Sequence, residues 1–255
     1  MVRGLNNFKK HFREYADNYV IIGGTACDII IEEAGFNARA TKDIDVILIV
    51  EALTPDFVKQ FWQFIKDGKY ERQEKSEDER NYYRFIKPED ETFPKQIELF
   101  SRTPDTIDLD EGMHLTPIPV DDDLSSLSAI LLDDIYYGYM VEHSTVQGEV
   151  RFANTEALMC LKAKAYLEIE QRIAEGGIEE KKHLRKHKGD VFRLAVLMTA
   201  EERYDLPELI KSHFKTFMSK AAGDLPDKSI FKEMGIKGIS IEKVYDQIMT
   251  TFKLA

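Results

Sequence analysis

Residues 20–46 read VIIGGTACDIIIEEAGFNARATKDIDV. The apolar residues 20–22 predict a buried strand, and Gly23 and Gly24 predict a tight turn into a helix that begins at Thr25. Glycines lack a Cβ, so this turn can approach phosphate oxygens closely, and the N–H groups and positive dipole end of the following helix favour anions. The Thr25 hydroxyl adds a polar group at the helix start. The stretch therefore predicts a site for a phosphate-bearing ligand.

A second predicted strand follows and carries Asp43 and Asp45. Because side chains alternate along a strand, both carboxylates are expected on one face, with Ile44 on the other. Two neighbouring carboxylates suit magnesium, which takes few protein ligands and completes its shell with water and substrate phosphate. Alone, a glycine pair is usually a plain turn and an Asp-x-Asp a solvated strand edge. Together, in this order, they favour a joint site for a triphosphate and a divalent metal.

The composition is globular, with 43% hydrophobic and 32% charged residues in 255. This length allows one large domain or two modest ones. No apolar run approaches the ~20 residues that span a bilayer, and the N-terminus lacks the apolar core of a signal peptide, so a cytoplasmic protein without membrane contact is expected. Cys27 and Cys160 lie in apolar helical patterns and are predicted to be buried, reduced thiols.

The net charge of −11 is unevenly distributed. Residues 1–150 hold 16 Lys and Arg against 30 Asp and Glu, a net of −14, whereas residues 151–255 hold 19 against 16, a net of +3. The overall negative charge argues against broad nucleic-acid binding. The asymmetry is compatible with a triphosphate or an RNA end held between the two halves, and equally with ordinary surface variation.

The remaining patterns of the first half predict a small mixed sheet with flanking helices. Residues 5–17 predict a short helix, and Thr54 followed by Pro55 predicts a capped helix start. Further strands are predicted at 81–86, 95–100, 135–141 and 150–152, the last two joined through Gly148 as a hairpin. Residues 71–80 predict a charged connection, and residues 101–133 a surface excursion in which Asp121, Asp122 and Asp123 form a solvated turn.

From residue 154 the pattern becomes helical. One helix is predicted to begin at a cap at Asn154 or Thr155 and another near Glu179, with two or three amphipathic helices in 205–255. The basic residues between 181 and 188 are either a polar helix face or a contact surface for phosphate or RNA. The predicted fold is therefore α/β (α+β), with a small mixed sheet and flanking helices in residues 1–153, followed by a helical domain in residues 154–255.

Gly-Gly-Thr-Ala at 23–26, followed by Arg39-x-Thr41-x-Asp43-Ile44-Asp45, resembles the nucleotidyltransferase superfamily related to DNA polymerase β. Within that superfamily, it resembles the AbiEii/AbiGii-type toxins of bacterial abortive-infection systems. The 17 residues between Thr25 and Asp43 exceed the family's usual spacing, and the surplus is expected at 32–38. The resemblance covers roughly residues 15–200 and is confined to motifs. It implies an active site between the sheet domain and the helical domain.

The resemblance also implies roles for individual residues. Asp43 and Asp45 would bind Mg²⁺ or Mn²⁺, and Glu98, between apolar neighbours, would be the third acid, helping to deprotonate the acceptor. Three carboxylates on adjacent strands could hold two metal ions. The alternative for Glu98 is a strand residue that faces outward. The implied nucleotide contacts are Gly23, Gly24, Thr25, Arg39 and Thr41, of which Gly24 and Thr25 would hold the β- and γ-phosphates.

Two more implied residues lie in the helical half. Lys162, in LMCLKAKAY, matches the family's Leu-Lys-x-x-Ala segment and would offset charge on the leaving pyrophosphate, with Lys164 as the rival if the register is shifted. Asp190 resembles the aspartate of a Lys-Asp signature, with Lys188 two residues before it. It would orient Lys162 or contact the nucleotide base. Family members often have a second aspartate three residues later, where this chain has Arg193.

The implied activity is transfer of a nucleoside monophosphate from a nucleoside triphosphate to an acceptor hydroxyl, with release of pyrophosphate. The toxin-like motifs imply an RNA acceptor such as tRNA and a cognate antitoxin as partner. Two alternatives remain open. One is a small-molecule nucleotidyltransferase of the antibiotic-modifying kind. The other is a non-catalytic nucleotide-binding or interaction protein, favoured if Glu98 or Lys162 points away from Asp43 and Asp45.

Overall fold

A computed structural model describes residues 2–72, 84–102, 107–109, 113–115, 130, 133–177 and 181–254. The chain divides into two compact units, Met1–Ile29 with Arg39–Asn154 and Ile30–Ala38 with Thr155–Ala255. The first unit is built on a mixed sheet with helices, whereas the described part of the second unit is helical. The predicted fold class, a mixed sheet with flanking helices followed by C-terminal helices, is confirmed.

The helices that begin in the first unit are α1 (Leu5–Phe12), α2 (Gly23–Glu33), α3 (Pro55–Asp67) and α4 (Asp134–Glu142). The main sheet contains β1 (Tyr19–Ile22), β2 (Asp43–Leu48), β3 (Glu71–Arg72), β4 (Arg84–Ile86), β5 (Gln96–Phe100), β8 (Ser144–Gln147) and β9 (Val150–Ala153). A separate two-stranded sheet is formed by β6 (Ile107–Leu109) and β7 (Met113–Leu115). Short 3₁₀ helices span Arg13–Tyr15 and Val50–Ala52.

The main sheet has the strand order β3-β4-β5-β2-β1-β9-β8. Its central strand β2 runs antiparallel to β1 and parallel to β5, and β1 is parallel to β9. Strand β1 leads directly into α2, since Ile22 ends the strand and Gly23 begins the helix. The predicted strand, helix and second strand are therefore all present, but the helix begins at Gly23, where a two-residue turn and a helix start at Thr25 were predicted. The Asp-x-Asp segment lies on the central strand.

Aromatic side chains from α1 and α3 pack together in the core of the first unit. Phe8 and Phe12 of α1 pack against Phe64 of α3, with ring centroids 5.9 and 5.3 Å from that of Phe64. Helix α3 begins as predicted, because Thr54 Oγ1 accepts the N–H of Phe57 at 3.2 Å and Pro55 is the first helical residue. Burying such rings removes apolar surface from water and stabilises this side of the sheet.

The prediction of a strand at residues 135–141 is wrong, because this segment is helix α4. Its aromatic and β-branched residues favoured a strand. The Asp133 carboxylate, however, accepts the N–H groups of Ile135 and Tyr136 at 2.9 and 3.2 Å and so caps a helix. The predicted hairpin through Gly148 exists, but its strands are β8 and β9.

Most other sequence-predicted elements of the first unit are confirmed where the structure describes them. Strand β5 lies in the predicted segment 95–100, and β9 covers 150–152. The predicted strand at 81–86 is confirmed for Arg84–Ile86, and its first three residues lie outside the described residues. The predicted turn at Asp121, Asp122 and Asp123 also lies outside them, as does most of the charged connection at 71–80.

The second unit contains α5 (Thr155–Ala174), α6 (Lys181–Ala195), α7 (Glu208–Ala222), α8 (Ser229–Glu233) and α9 (Ile241–Thr251). The loop after α2 also belongs to it, and the N–H of Asn37 donates to the Met234 carbonyl at 3.1 Å. Cys27 and Cys160 are buried free thiols, as predicted, and burial raises the pKa of the Cys160 thiol well above its usual value. Among the helices of the described residues, none combines the length and apolar character that a membrane crossing needs.

Candidate functional site

Asp43 and Asp45 lie on the same face of the central strand β2. Both are half-buried, whereas Ile44 between them is fully buried, and this alternation matches the period of a strand. Strand β2 is flanked by β1 and β5, so neighbouring strands fix the backbone that carries both carboxylates. The pair is therefore held by the sheet and not by a loop.

Gly23 leaves room for the carboxylate of Asp45. Ile22 and Asp45 are partners in the β1–β2 ladder, and Gly23 follows with a φ of 70°. A Cβ at Gly23 would lie 1.9 Å from Asp45 Oδ2, so any other residue here would force the Asp45 carboxylate to move. The missing side chain thus accommodates a candidate metal ligand, a close approach that the sequence alone did not predict.

Gly24 and Thr25 connect α2 to the segment that precedes β2. The buried Thr25 hydroxyl donates to the Asp43 carbonyl at 2.5 Å, so this hydroxyl holds the start of the Asp-x-Asp strand. A Cβ at Gly24 would lie 3.0 Å from Thr41 Oγ1, which makes this contact close as well. A role for Gly24 and Thr25 in phosphate binding stays a prediction.

Arg39 and Thr41 precede β2 and are both half-buried. The backbone N–H of Thr41 donates to Asp28 Oδ2 at 2.6 Å, and Asp28 is fully buried on α2. Sequence reasoning missed Asp28. Its only signal was an acidic residue inside the apolar run of α2, one turn after the glycine pair.

Glu98 is the partner of Asp45 across the parallel β2–β5 pair, so both side chains lie on one face of the sheet. Its carboxylate accepts from Arg84 Nε at 2.5 Å, and Arg84 is its ladder partner on β4. Glu98 is 8% exposed. The predicted third acid is thus adjacent to the aspartate pair but ion-paired with an arginine that sequence reasoning did not identify.

Asp43 and Asp45 are suited to bind a metal ion as a pair, whereas Glu98 is not placed to bind the same ion with them. Among the described residues, no group of three or more His, Cys, Asp or Glu side chains is close enough to hold a metal ion. The aspartate oxygens are hard ligands, and a magnesium or manganese ion bound to them would take its remaining ligands from water and phosphate. Glu98 would have to leave Arg84 before it could join them.

Lys162 and Asp190 form a buried ion pair in the second unit. Lys162 Nζ lies 3.4 Å from Asp190 Oδ2, and the two side chains are only 2% and 1% exposed. Arg193 Nη1 lies 3.5 Å from the other Asp190 oxygen, and Arg193 Nη2 contacts Glu233 at 2.8 Å. Asp190 is therefore shared by two cations, and Arg193 takes part in the network at the position where the family pattern has an aspartate.

The rival lysine of this helix has a different partner. Lys164 Nζ contacts Glu168 at 2.5 Å, one helical turn along α5. In the basic segment of α6, Lys188 is buried and contacts Asp224 Oδ2 at 2.5 Å. Exposed cations precede it at Lys181, Lys182, Arg185 and Lys186.

The predicted site residues thus form two groups. Asp43, Asp45, Glu98, Gly23, Gly24, Thr25, Arg39 and Thr41 belong to the first unit, whereas Lys162 and Asp190 belong to the second. Within each group, the structure brings together residues that are distant in sequence. A joint site that contains both groups stays a prediction.

No protein-family model matches the chain, and no curated protein matches it significantly. Among solved structures, an antigenic nucleotidyltransferase-like protein from Paracoccidioides brasiliensis is similar over 91% of this chain and 95% of that chain. The sequence identity is 15% and the TM-score is 0.46. So distant a similarity supports no argument about activity, and the resemblance to AbiEii/AbiGii-type toxins stays a prediction.

If the aspartate pair binds a metal and a nucleotide as the sequence predicts, replacing Gly23 by Ala is expected to abolish that binding. The new Cβ would displace the Asp45 carboxylate, and alanine at a φ of 70° adds about 1–2 kcal/mol of backbone strain. Gly35→Ala is the matched control, because Gly35 has a φ of 81° and nothing within 4 Å of a new Cβ. Thermal unfolding and nucleotide titration would compare the two variants. Equal nucleotide affinity of Gly23→Ala and Gly35→Ala would show that the space at Gly23 for the Asp45 carboxylate is not needed for binding.

Proposed function

We propose that this protein is a metal-dependent nucleotidyltransferase. It would transfer a nucleoside monophosphate from a nucleoside triphosphate to an acceptor hydroxyl and release pyrophosphate. One observation carries the proposal: Asp43 and Asp45 share one face of the central strand, and Gly23, at the start of α2, leaves room for the Asp45 carboxylate. Paired carboxylates beside a helix N-terminus suit a triphosphate chelated to a divalent cation.

In the proposed reaction, Asp43 and Asp45 would hold a divalent cation, which would neutralise phosphate charge and make the α-phosphorus more electrophilic. The N–H groups in the first turn of α2, next to Gly24, face the β- and γ-phosphates. The acceptor oxygen attacks the α-phosphorus, and the bond from that phosphorus to the β-phosphate oxygen breaks. Glu98, once released from Arg84, takes the proton of the acceptor hydroxyl.

Lys162 is proposed to neutralise the charge that develops on pyrophosphate. A buried charge is costly unless it is paired, and Asp190 Oδ2, 3.4 Å from Lys162 Nζ, supplies that pairing. Arg193 occupies the other oxygen of Asp190, which favours an orienting role for this aspartate over direct contact with the nucleotide base.

For the acceptor, we propose an RNA end such as that of tRNA, with a cognate antitoxin as partner. The exposed cations Lys181, Lys182 and Arg185 at the start of α6 support this choice, because phosphate backbones are bound largely by such charges. A second candidate function is non-catalytic nucleotide binding. The Arg84–Glu98 ion pair favours that alternative, since it occupies the carboxylate that would accept the proton.

The first experiment is thermal unfolding with each of the four nucleoside triphosphates, with and without magnesium. Ligand at about 100 times its dissociation constant adds about 2.7 kcal/mol to stability, which is readily detected. The wild type is expected to show a magnesium-dependent shift with at least one nucleotide, and the Asp43→Asn, Asp45→Asn double variant none. A shift that persists in the double variant, or no shift with any nucleotide, would contradict the proposed site.

A further inference from the structure

Asp28 is a fully buried carboxylate on α2, and only one of its two oxygens accepts a hydrogen bond among the described residues. Its Oδ2 accepts the backbone N–H of Thr41 at 2.6 Å. Its Oδ1 is buried and has no hydrogen-bond partner among the described residues. The side chain is thus connected to the segment before the Asp-x-Asp strand through one oxygen only.

This arrangement costs stability. A buried carboxylate is unfavourable unless its oxygens are satisfied, and an apolar side chain of similar shape would avoid that cost. What Asp28 supplies is an acceptor for the Thr41 N–H, which lies outside the strand ladders of the sheet. The hydrogen bond fixes the backbone at Thr41, two residues before Asp43. The role of Asp28 therefore concerns the position of Asp43.

Thr25 and Asp28 act on the same short segment. They are three residues apart on α2 and therefore lie on one face of the helix. Thr25 donates to the Asp43 carbonyl at 2.5 Å, and Asp28 accepts from the Thr41 N–H at 2.6 Å. The side chain of Thr41 in turn lies against Gly24, with Oγ1 only 3.0 Å from where a Cβ would be. Two side chains of α2 thus hold residues 41–43 close to the glycine pair at the start of this helix.

We propose that Asp28 is a positioning residue that sets the direction of the Asp43 carboxylate relative to Gly23 and Gly24 at the start of α2. Its effect on ligand binding rests on the proposed function, in which Asp43 binds a divalent cation carrying a nucleoside triphosphate. Asp28 acts through the Thr41 backbone, with no contact to the ligand. The hydrogen-bond acceptor, and not the negative charge, is the property that matters.

The test compares Asp28→Asn with Asp28→Leu, two side chains of nearly the same shape. Asparagine keeps an oxygen for the Thr41 N–H, whereas leucine removes it. Hydrogen exchange at the Thr41 amide is expected to accelerate by about tenfold or more in the leucine variant and to stay close to wild type in the asparagine variant. Affinity for magnesium and nucleoside triphosphate, measured by calorimetry, is expected to fall by about fivefold to tenfold with leucine and to be retained with asparagine.

Asp28→Ala, which removes the acceptor without adding volume, is made in parallel in case the leucine variant does not fold. Asp17→Asn serves as the control, because Asp17 lies in the same unit with its side chain 88% exposed. Unchanged Thr41 exchange in both the leucine and alanine variants would overturn the proposal. Equal losses of affinity in Asp28→Asn and Asp28→Leu would also overturn it, since they would assign the effect to charge.

These outcomes separate the positioning role from the proposed function. If the wild type binds no nucleotide with magnesium, the proposed function fails, while exchange at Thr41 still decides whether Asp28 holds the segment. If the wild type binds nucleotide and the leucine variant binds it equally well, the proposed function stands and the positioning role is overturned.

Discussion

Asp43→Asn is expected to lower the proposed nucleotidyl transfer by on the order of a thousandfold or more, because in that reaction the cation held by Asp43 would contribute several kcal/mol to transition-state stabilisation. Asparagine has nearly the shape of aspartate but is a neutral and weaker ligand. Asp43 is only half-buried, and its contact with Thr25 is made by the backbone carbonyl, which the substitution keeps. The thermal midpoint without ligand should therefore stay within a few degrees of wild type.

The measurement is transfer activity together with thermal unfolding of the same preparations. Asp17→Asn is the control, since it also removes one carboxylate from the first unit and should keep full activity. Activity of Asp43→Asn within about tenfold of wild type would mean that this aspartate does not bind the catalytic metal. A large loss of stability in Asp43→Asn would instead mean that Asp43 stabilises the fold.

Asp190→Ala is expected to destabilise the protein by about 3–5 kcal/mol, because it leaves two buried cations without their shared anion. Lys162 and Arg193, 2% and 9% exposed in their side chains, both contact this carboxylate. Lys162→Met should cost less, since methionine fills much of the space and Asp190 keeps its contact with Arg193. Urea denaturation followed by circular dichroism would rank the two variants.

The test depends on which of the two variants, Asp190→Ala or Lys162→Met, loses more stability. A larger loss of stability in Lys162→Met than in Asp190→Ala would contradict the shared-anion network. When only fully folded protein is assayed, Lys162→Met should lose more transfer activity than Asp190→Ala. Lys162→Met would retain most of its stability and lose transfer activity, because the proposed charge on the leaving pyrophosphate would have no counter-charge.

Much of the fold follows from local patterns. The apolar residues before the glycine pair, the alternation around Ile44 and the cap at Thr54 are each determined within a few residues, and the structure confirms the elements they predict. The segment 135–141 shows the limit of such reasoning. Its composition favours a strand, but Asp133 caps a helix whose buried residues, Tyr136, Tyr137, Tyr139 and Met140, have helical spacing.

The site is less predictable because its key contacts join distant parts of the chain. Arg84 meets Glu98 only because β4 pairs with β5, and Asp28 meets Thr41 only because the chain between α2 and β2 returns to the side of α2 that carries Asp28. Neither contact can be recognised from the residues that neighbour it in the sequence. The proximity of Lys162 and Asp190 was implied by a family resemblance and not by spacing, since the two residues lie on different helices.

Nucleotidyl transfer can be tested by following the α-phosphate and the γ-phosphate of the nucleotide separately. Wild type and Asp43→Asn are incubated with magnesium, pooled cellular RNA and each nucleoside triphosphate, labelled in one series at the α-phosphate and in another at the γ-phosphate. We expect the wild type to transfer the α-label to an acceptor and to release the γ-label only in pyrophosphate, and we expect Asp43→Asn to transfer neither label. Transfer of the γ-label, or α-label transfer by both proteins alike, would contradict the proposed reaction.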